Sequence, residues 1–92
     1  MHIGVIHTIT DRAAWDRITG ELDPSGFPEG FTLHCTMTSD DVAKAICMWD
    51  APSTGQLQSM LDDVFQEAAR NDCFTADPER SIGVPAAMAA QA

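Results

Sequence analysis

Three side chains of this sequence are of types that bind metal ions or react, and their spacing predicts that they meet. His34 and Cys47 belong to two segments rich in apolar and β-branched residues, separated by Asp40 and Asp41. If these aspartates form a two-residue hairpin loop, His34 and Cys47 lie opposite each other on one sheet face, and His7 of an earlier strand lies beside Cys47. Imidazole and thiolate suit nickel, zinc or copper, so the pattern predicts a metal site. The alternative is that all three are ordinary lining side chains.

Two further residues are candidates for contact with a small ligand. Trp49 ends the second hairpin strand, where an indole either closes a pocket by stacking or anchors the core. Asn71 lies between the second predicted helix and the last strand, where its amide can be a polar group of a pocket. In a cofactor-independent enzyme, His34 would be the base of a pocket between helices and sheet, lined by Trp49 and Asn71. The sequence contains no HExxH, glycine-rich phosphate loop or GxSxG motif, so catalytic residues stay unknown.

The composition limits the possible partners. Fourteen acidic residues against five basic ones give a formal net charge of −9, which repels phosphate backbones and anionic lipid, so we expect no nucleic acid or membrane partner. No segment approaches the roughly 18 apolar residues of a membrane span, and the first residues lack the basic region of a signal peptide. The three cysteines form no CxxC pair, so neither a disulfide framework nor a zinc ribbon is predicted. We therefore expect a soluble cytoplasmic protein with reduced thiols.

Hydrophobic periodicity predicts the elements that position these residues. The segment His2–Ile9 predicts a first strand, and Thr10 or Asp11 can cap a short helix after it. After a loop rich in proline and glycine, the hairpin strands follow at Phe31–Thr38 and Val42–Trp49.

The strongest helix signal lies in the second half of the chain. Ser53 and Gln56 form a capping box at the start of this helix. The apolar stripe that follows has helical spacing and consists of Leu57, Met60, Leu61, Val64, Phe65 and Ala68. We expect a last strand at 71–76 and a short edge extension at 81–84.

This order of elements predicts an α+β, ferredoxin-like βαββαβ fold, a four-stranded antiparallel sheet with two helices on one face. We expect the helices to cover the more apolar hairpin face, which carries Leu33, Cys35, Met37, Ile46 and Met48. The face with His34, Cys47 and Trp49 would stay open, and two such faces packed together would form a dimeric α/β barrel. A homodimer is expected because the core of a 92-residue chain is small. Residues 1–85 would form the single domain and 86–92 a flexible tail.

The motif residues His7, His34, Cys47 and Ala51-Pro52-Ser53 resemble those of a family of small, uncharacterised ferredoxin-like proteins, some described as nickel-binding. That family has a His late in strand one, a His in strand two, a Cys in strand three and Ala-Pro-Ser at the start of helix two. The resemblance covers most of the chain up to the second helix. It implies a homodimeric α/β barrel that takes up a divalent metal on His7, His34 and Cys47. The chain differs at Thr8 and near Ala68, where the family often has further histidines.

Taken together, these features predict a small homodimeric protein that binds a metal ion or small ligand on the sheet face. The architecture is also similar to that of dimeric α/β barrel enzymes, including cofactor-independent oxygenases, isomerases and cyclases. A purely structural dimerisation module is the third interpretation.

Overall fold

The computed structural model describes residues Met1–Val84, so the predicted tail at 86–92 lies outside the described residues. The described residues form the four strands and two helices that the sequence predicts. The elements are β1 (His2–Ile9), α1 (Arg12–Glu21), β2 (Thr32–Thr38), β3 (Lys44–Asp50), α2 (Thr54–Phe65) and β4 (Ala69–Thr75), with short 3₁₀ turns at Pro24–Gly26, Gln66–Ala68 and Pro78–Arg80. The predicted edge extension is wrong, because 81–84 is irregular.

The four strands form one antiparallel sheet in the order β2-β3-β1-β4. The central strands are β1 and β3, so residues of both can meet on either face. An antiparallel four-stranded sheet with two helices is an α+β architecture compatible with the ferredoxin-like pattern.

Both helices begin at the predicted caps. The Asp11 carboxylate accepts a hydrogen bond from the backbone N–H of Ala14 at 3.1 Å, and the Ser53 hydroxyl accepts one from the backbone N–H of Gln56 at the same distance. Each bond satisfies an amide that has no partner inside the first helical turn.

The core lies between the helices and one sheet face. The predicted stripe of α2 supplies Leu57, Leu61 and Phe65, each at most 3% exposed, and Trp15 of α1 stacks on Phe65 with ring centroids 4.8 Å apart. The sheet contributes β1 and β3 side chains at alternate positions: Ile3, Val5, His7, Ala45, Cys47 and Trp49.

The face of the hairpin that the helices cover is the opposite of the predicted one. Cys47 and Trp49 were expected on the open face, but they are 7% and 2% exposed beneath the helices. Cys35, expected in the core, is exposed instead. Ala45 and Cys47 of β3 are small and leave room for the large aromatic rings of the helices, whereas Ile46 and Met48 point away from the helices. We call this other side the uncovered sheet face; it carries Gly4, Ile6, Cys35, Met37, Ile46, Met48 and Phe74.

The predicted hairpin register is also wrong. The turn contains five residues, 39–43, rather than two, so Thr36 and not His34 pairs with Cys47. A bulge between Leu33 and Cys35 leaves His34 without a partner in the ladder of β3. Within the turn, Val42 adopts a φ of 56°, a left-handed conformation that β-branched residues rarely adopt.

Candidate functional site

The helix-covered face holds a buried chain of three polar side chains. His7 of β1 is completely buried, and its Nε2 atom lies 2.9 Å from the Sγ atom of Cys47 on β3. On the other side of the ring, His7 Nδ1 lies 2.6 Å from Asn71 Oδ1 on β4. The aromatic rings of Trp15 and Phe65 flank the imidazole, with centroids 5.1 Å and 5.3 Å away. The structure therefore places a thiol, a base and a residue that orients the base in one line.

The exposed carboxylate of Asp62 on α2 fixes the protonation of this chain. An ionised carboxylate only accepts hydrogen bonds, so the Asn71 atom 3.1 Å from it must be the amide nitrogen, Nδ2. Asn71 therefore presents its oxygen to His7, and His7 Nδ1 must carry the proton. In neutral imidazole the other nitrogen then has a free lone pair, so His7 Nε2 accepts from the Cys47 thiol.

Burial keeps both partners neutral. Desolvation lowers the pKa of His7, and the hydrogen bond to Asn71 opposes this only in part. Desolvation also raises the pKa of Cys47, against the smaller opposing effects of Thr36 and Trp49. The resting pair is thus a thiol hydrogen-bonded to a neutral imidazole, rather than a thiolate–imidazolium pair.

A small, mostly apolar cavity of about 10 Å³ lies beside Cys47. This is roughly the space that one water-sized atom needs. Trp49 lies beside the thiol, near enough to favour its charged form, but its Nε1–H has no acceptor at hydrogen-bond distance among residues 1–84. The Thr36 hydroxyl lies 3.3 Å from Cys47 Sγ. The cavity therefore borders a sulfur atom and a buried donor without a partner.

The three predicted metal ligands do not come together. His7 and Cys47 are in contact, whereas His34 is exposed at the bulge of β2. Between Met1 and Val84, no three His, Cys, Asp or Glu residues are grouped so that they could hold a metal ion. The donors present, one nitrogen and one sulfur, do not fit a closed structural metal centre, which normally has four ligands.

The uncovered sheet face contains a second, larger pocket of about 480 Å³. Its lining is mostly apolar, and the ring of Phe74 lies directly over Gly4, where a Cβ atom would come within 2.2 Å of it. Its polar lining residues include Ser81 and His2, which is 7% exposed and whose Nδ1 has no hydrogen-bond partner among the described residues. Such a volume, with apolar walls and few polar groups, is typical of small-molecule pockets.

The sequence predicted Asn71 and Trp49 as pocket residues, and the structure places both at the Cys47 site. It missed two residues that matter for the chemistry: Asp62, which was assigned to a solvated face, and Thr36. A weak signal existed for Asp62, since Gln58 lies one turn earlier and donates to the same carboxylate at 3.1 Å. For His2 the sequence carried no signal.

No family model matches the chain, and no match was found among curated proteins or solved structures. The resemblance to the small ferredoxin-like family therefore stays a prediction. Neither described helix is long and apolar enough to cross a bilayer.

Proposed function

We propose that this protein is a homodimer that encloses a small apolar ligand between two uncovered sheet faces. The observation that carries the proposal is the apolar pocket of about 480 Å³ on that face, lined in part by His2, whose buried Nδ1 has no hydrogen-bond partner among residues 1–84. Two sheets packed face to face would form the dimeric α/β barrel and close the pocket.

Exposed apolar side chains support a second copy as the cover of this face. Ile6, Ile46 and Phe74 are 45%, 49% and 51% exposed, and Met37 is 64% exposed. Contiguous apolar patches of this kind are rare on monomers and typical of interfaces. Burying them would add apolar contacts to the small core of a 92-residue chain.

The charge distribution supports the same cover. The chain carries a net charge of −9, so most surfaces of two copies repel each other. By strand alternation, the uncovered sheet face carries two basic residues, Lys44 and Arg70, and two acidic ones, Asp50 and Asp72. Arg70 and Asp72 also form an ion pair at 3.3 Å. The strands therefore add no net charge to this face, and self-repulsion between two such faces is weak.

Native mass spectrometry and light scattering test the assembly, and the neutral apolar dye Nile red tests the pocket. We expect a dimer, with dye fluorescence that saturates at a fixed stoichiometry. Ile46→Asp places a charge on the uncovered sheet face and should give a monomer without dye binding. Ser59→Asp adds the same charge on the exposed side of α2 and should change neither result.

Two outcomes would contradict the proposal. A monomeric wild-type protein at concentrations well above the dye affinity would reject the interface. A dimer that binds no dye would reject the ligand and favour the purely structural dimerisation module.

The metal site of His7, His34 and Cys47 remains a separate prediction. The contact between His7 Nε2 and Cys47 Sγ supports it, because these are two adjacent donors that soft metals favour. The exposed position of His34 does not support a third ligand. Native mass spectra with nickel, zinc or copper test it: metal bound by wild type and lost in each of His7→Gln, His34→Gln and Cys47→Ser would establish all three ligands.

A further inference from the structure

The surroundings of Cys47 are arranged to hold one additional oxygen atom on its sulfur. The cavity beside the thiol has a volume of about 10 Å³, close to the space of a single water-sized atom. The Trp49 side chain, 2% exposed, lines this cavity, and its Nε1–H lacks an acceptor among residues 1–84. An oxygen bonded to the sulfur would lie beside this donor and could accept its hydrogen bond.

We propose that a small hydroperoxide oxidises Cys47 to a sulfenic acid, which the Trp49 Nε1–H stabilises. In this reaction the sulfur attacks one peroxide oxygen, the S–O bond forms and the O–O bond breaks. Cys47–SH and HOOH become Cys47–SOH and water. The sulfur loses two electrons, and the peroxide gains them.

His7 handles the proton of this step. Its Nε2 lies 2.9 Å from Sγ and takes the thiol proton as the S–O bond forms. The same nitrogen then returns the proton to the departing hydroxide, which leaves as water. Asn71 keeps His7 in the tautomer whose Nε2 can accept this proton, so Asn71 is a positioning residue.

The size of the cavity selects the oxidant. The cavity has room for one oxygen atom, so hydrogen peroxide, with only two heavy atoms, needs a smaller displacement of the surrounding side chains than an ester or an unsaturated carbonyl compound. A route to the thiol is provided by β2, the edge strand, where the cavity-lining residue Thr36 is exposed to solvent. Larger thiols and peroxides do not fit this space.

The oxidised Cys47 cannot form an internal disulfide with Cys73, the neighbouring cysteine on this face. Cys47 and Cys73 pair with Val5 from its two sides, so two strand spacings, about 9.6 Å in all, separate them. A disulfide requires Cα atoms within about 7 Å. Cys35 pairs with Met48 and lies on the opposite face of the sheet. The expected product is therefore a persistent sulfenic acid, which a small reductant such as dithiothreitol reverses once the protein is unfolded.

The test uses a Cys35→Ser/Cys73→Ser protein that has been treated with a chelator, so that neither other thiols nor trace metals contribute. The native protein is exposed to hydrogen peroxide, catalase removes the excess, and the protein is unfolded in the presence of dimedone. Peptide mass spectrometry then measures the dimedone adduct on Cys47, which also separates sulfenic acid from oxidation of the five methionines.

We expect the adduct on Cys47 to accumulate at least about tenfold faster in the folded protein than in the same protein oxidised while unfolded. His7→Gln keeps a side chain that can pair with Asn71 but removes the base, and should abolish this advantage. Trp49→Phe keeps the ring but removes the N–H donor, and should shorten the lifetime of the sulfenic acid without slowing its formation. Circular dichroism establishes that each variant is folded. If His7→Gln is not, Asn71→Ala replaces it, because it removes the group that holds His7 in the accepting tautomer and should slow the oxidation.

Several results would overturn the proposal. One is oxidation of Cys47 that is no faster in the folded than in the unfolded protein. Another is an unchanged rate in folded His7→Gln. Equal lifetimes of the sulfenic acid in wild type and Trp49→Phe would remove the role of the indole.

Discussion

The buried imidazole of His7 couples the stability of the fold to pH. Burial lowers the pKa of His7 in the folded protein below its ordinary value of 6.5, so the unfolded chain takes up this proton first as the pH falls. The contribution of His7 to the free energy of unfolding is therefore complete above pH 6.5. It decreases as the pH falls below that value towards the pKa of the folded state.

We predict that His7→Gln removes this part of the pH dependence. Urea unfolding of wild type at a series of pH values below neutrality should show a decreasing free energy of unfolding, and the decrease should be smaller in the variant. The matched control is His34→Gln, since His34 is exposed and should leave the slope unchanged. Parallel pH profiles of wild type and His7→Gln would contradict the burial of a neutral imidazole.

For individual residues, the sequence predicted which side chains belong to the site more accurately than it predicted their contacts. It placed His7 beside Cys47, which the 2.9 Å contact confirms, and it named Asn71 and Trp49. It wrongly paired His34 with Cys47, because that pairing assumed a turn of two residues. The role of Asp62 was missed, because a carboxylate on an exposed helix face is normally solvated and Gln58 one turn earlier is only a weak signal.

Among the elements, α2 offers a clean test of its cap. Ser53→Ala removes the oxygen that accepts from the backbone N–H of Gln56 and should lower the free energy of unfolding by about 1 kcal/mol. Ser59→Ala is the control, because Ser59 lies exposed within the same helix. A Ser53→Ala protein as stable as wild type would show that the cap contributes nothing.

The packing of α2 on the sheet should be much more costly to disturb. Leu61 is 1% exposed, and Leu61→Ala should lower the free energy of unfolding by about 2 to 5 kcal/mol, because it removes buried apolar surface and leaves a cavity. Chemical unfolding measures this, with exposed Asp63→Ala as the comparison. A loss below about 0.5 kcal/mol would mean that α2 is not packed as described.

The elements were predictable where the signal is local. The bounds of β1 and the start of α2 follow from β-branched content and from a cap, both of which depend on neighbouring residues. The sequence predicted the wrong hairpin face beneath the helices, because the prediction assumed that the helices cover the more apolar face. The larger apolar side chains, Ile46 and Met37 among them, lie on the uncovered sheet face, so hydrophobicity alone pointed to the wrong side. The longer turn requires a left-handed φ at Val42, and a valine in the sequence does not indicate such a conformation.

For the whole molecule, net charge predicts how the proposed dimer responds to salt. Two chains of −9 each repel one another, and salt screens this repulsion over a Debye length that shrinks from roughly 20 Å to roughly 4 Å between about 0.02 M and 0.5 M. We predict that added sodium chloride tightens the dimer, measured as a lower dissociation constant by analytical ultracentrifugation. A dimer that salt weakens would instead depend on ion pairs across the interface, against an apolar one.

The Asp62 carboxylate gives the surface of α2 a remote influence on sulfur chemistry. A side-chain amide has an acceptor oxygen and a donor nitrogen, and a 180° rotation of the Asn71 amide exchanges the two within the same space. With a donor in place of Asp62, as in Asp62→Lys, the favoured orientation would point the amide nitrogen of Asn71 towards His7. His7 Nδ1 would then accept a hydrogen bond, and the imidazole proton would be on Nε2. His7 would then donate to Cys47 rather than accept from it. A single exposed substitution would thus reverse the polarity of the whole chain and disable the base while leaving every buried residue in place.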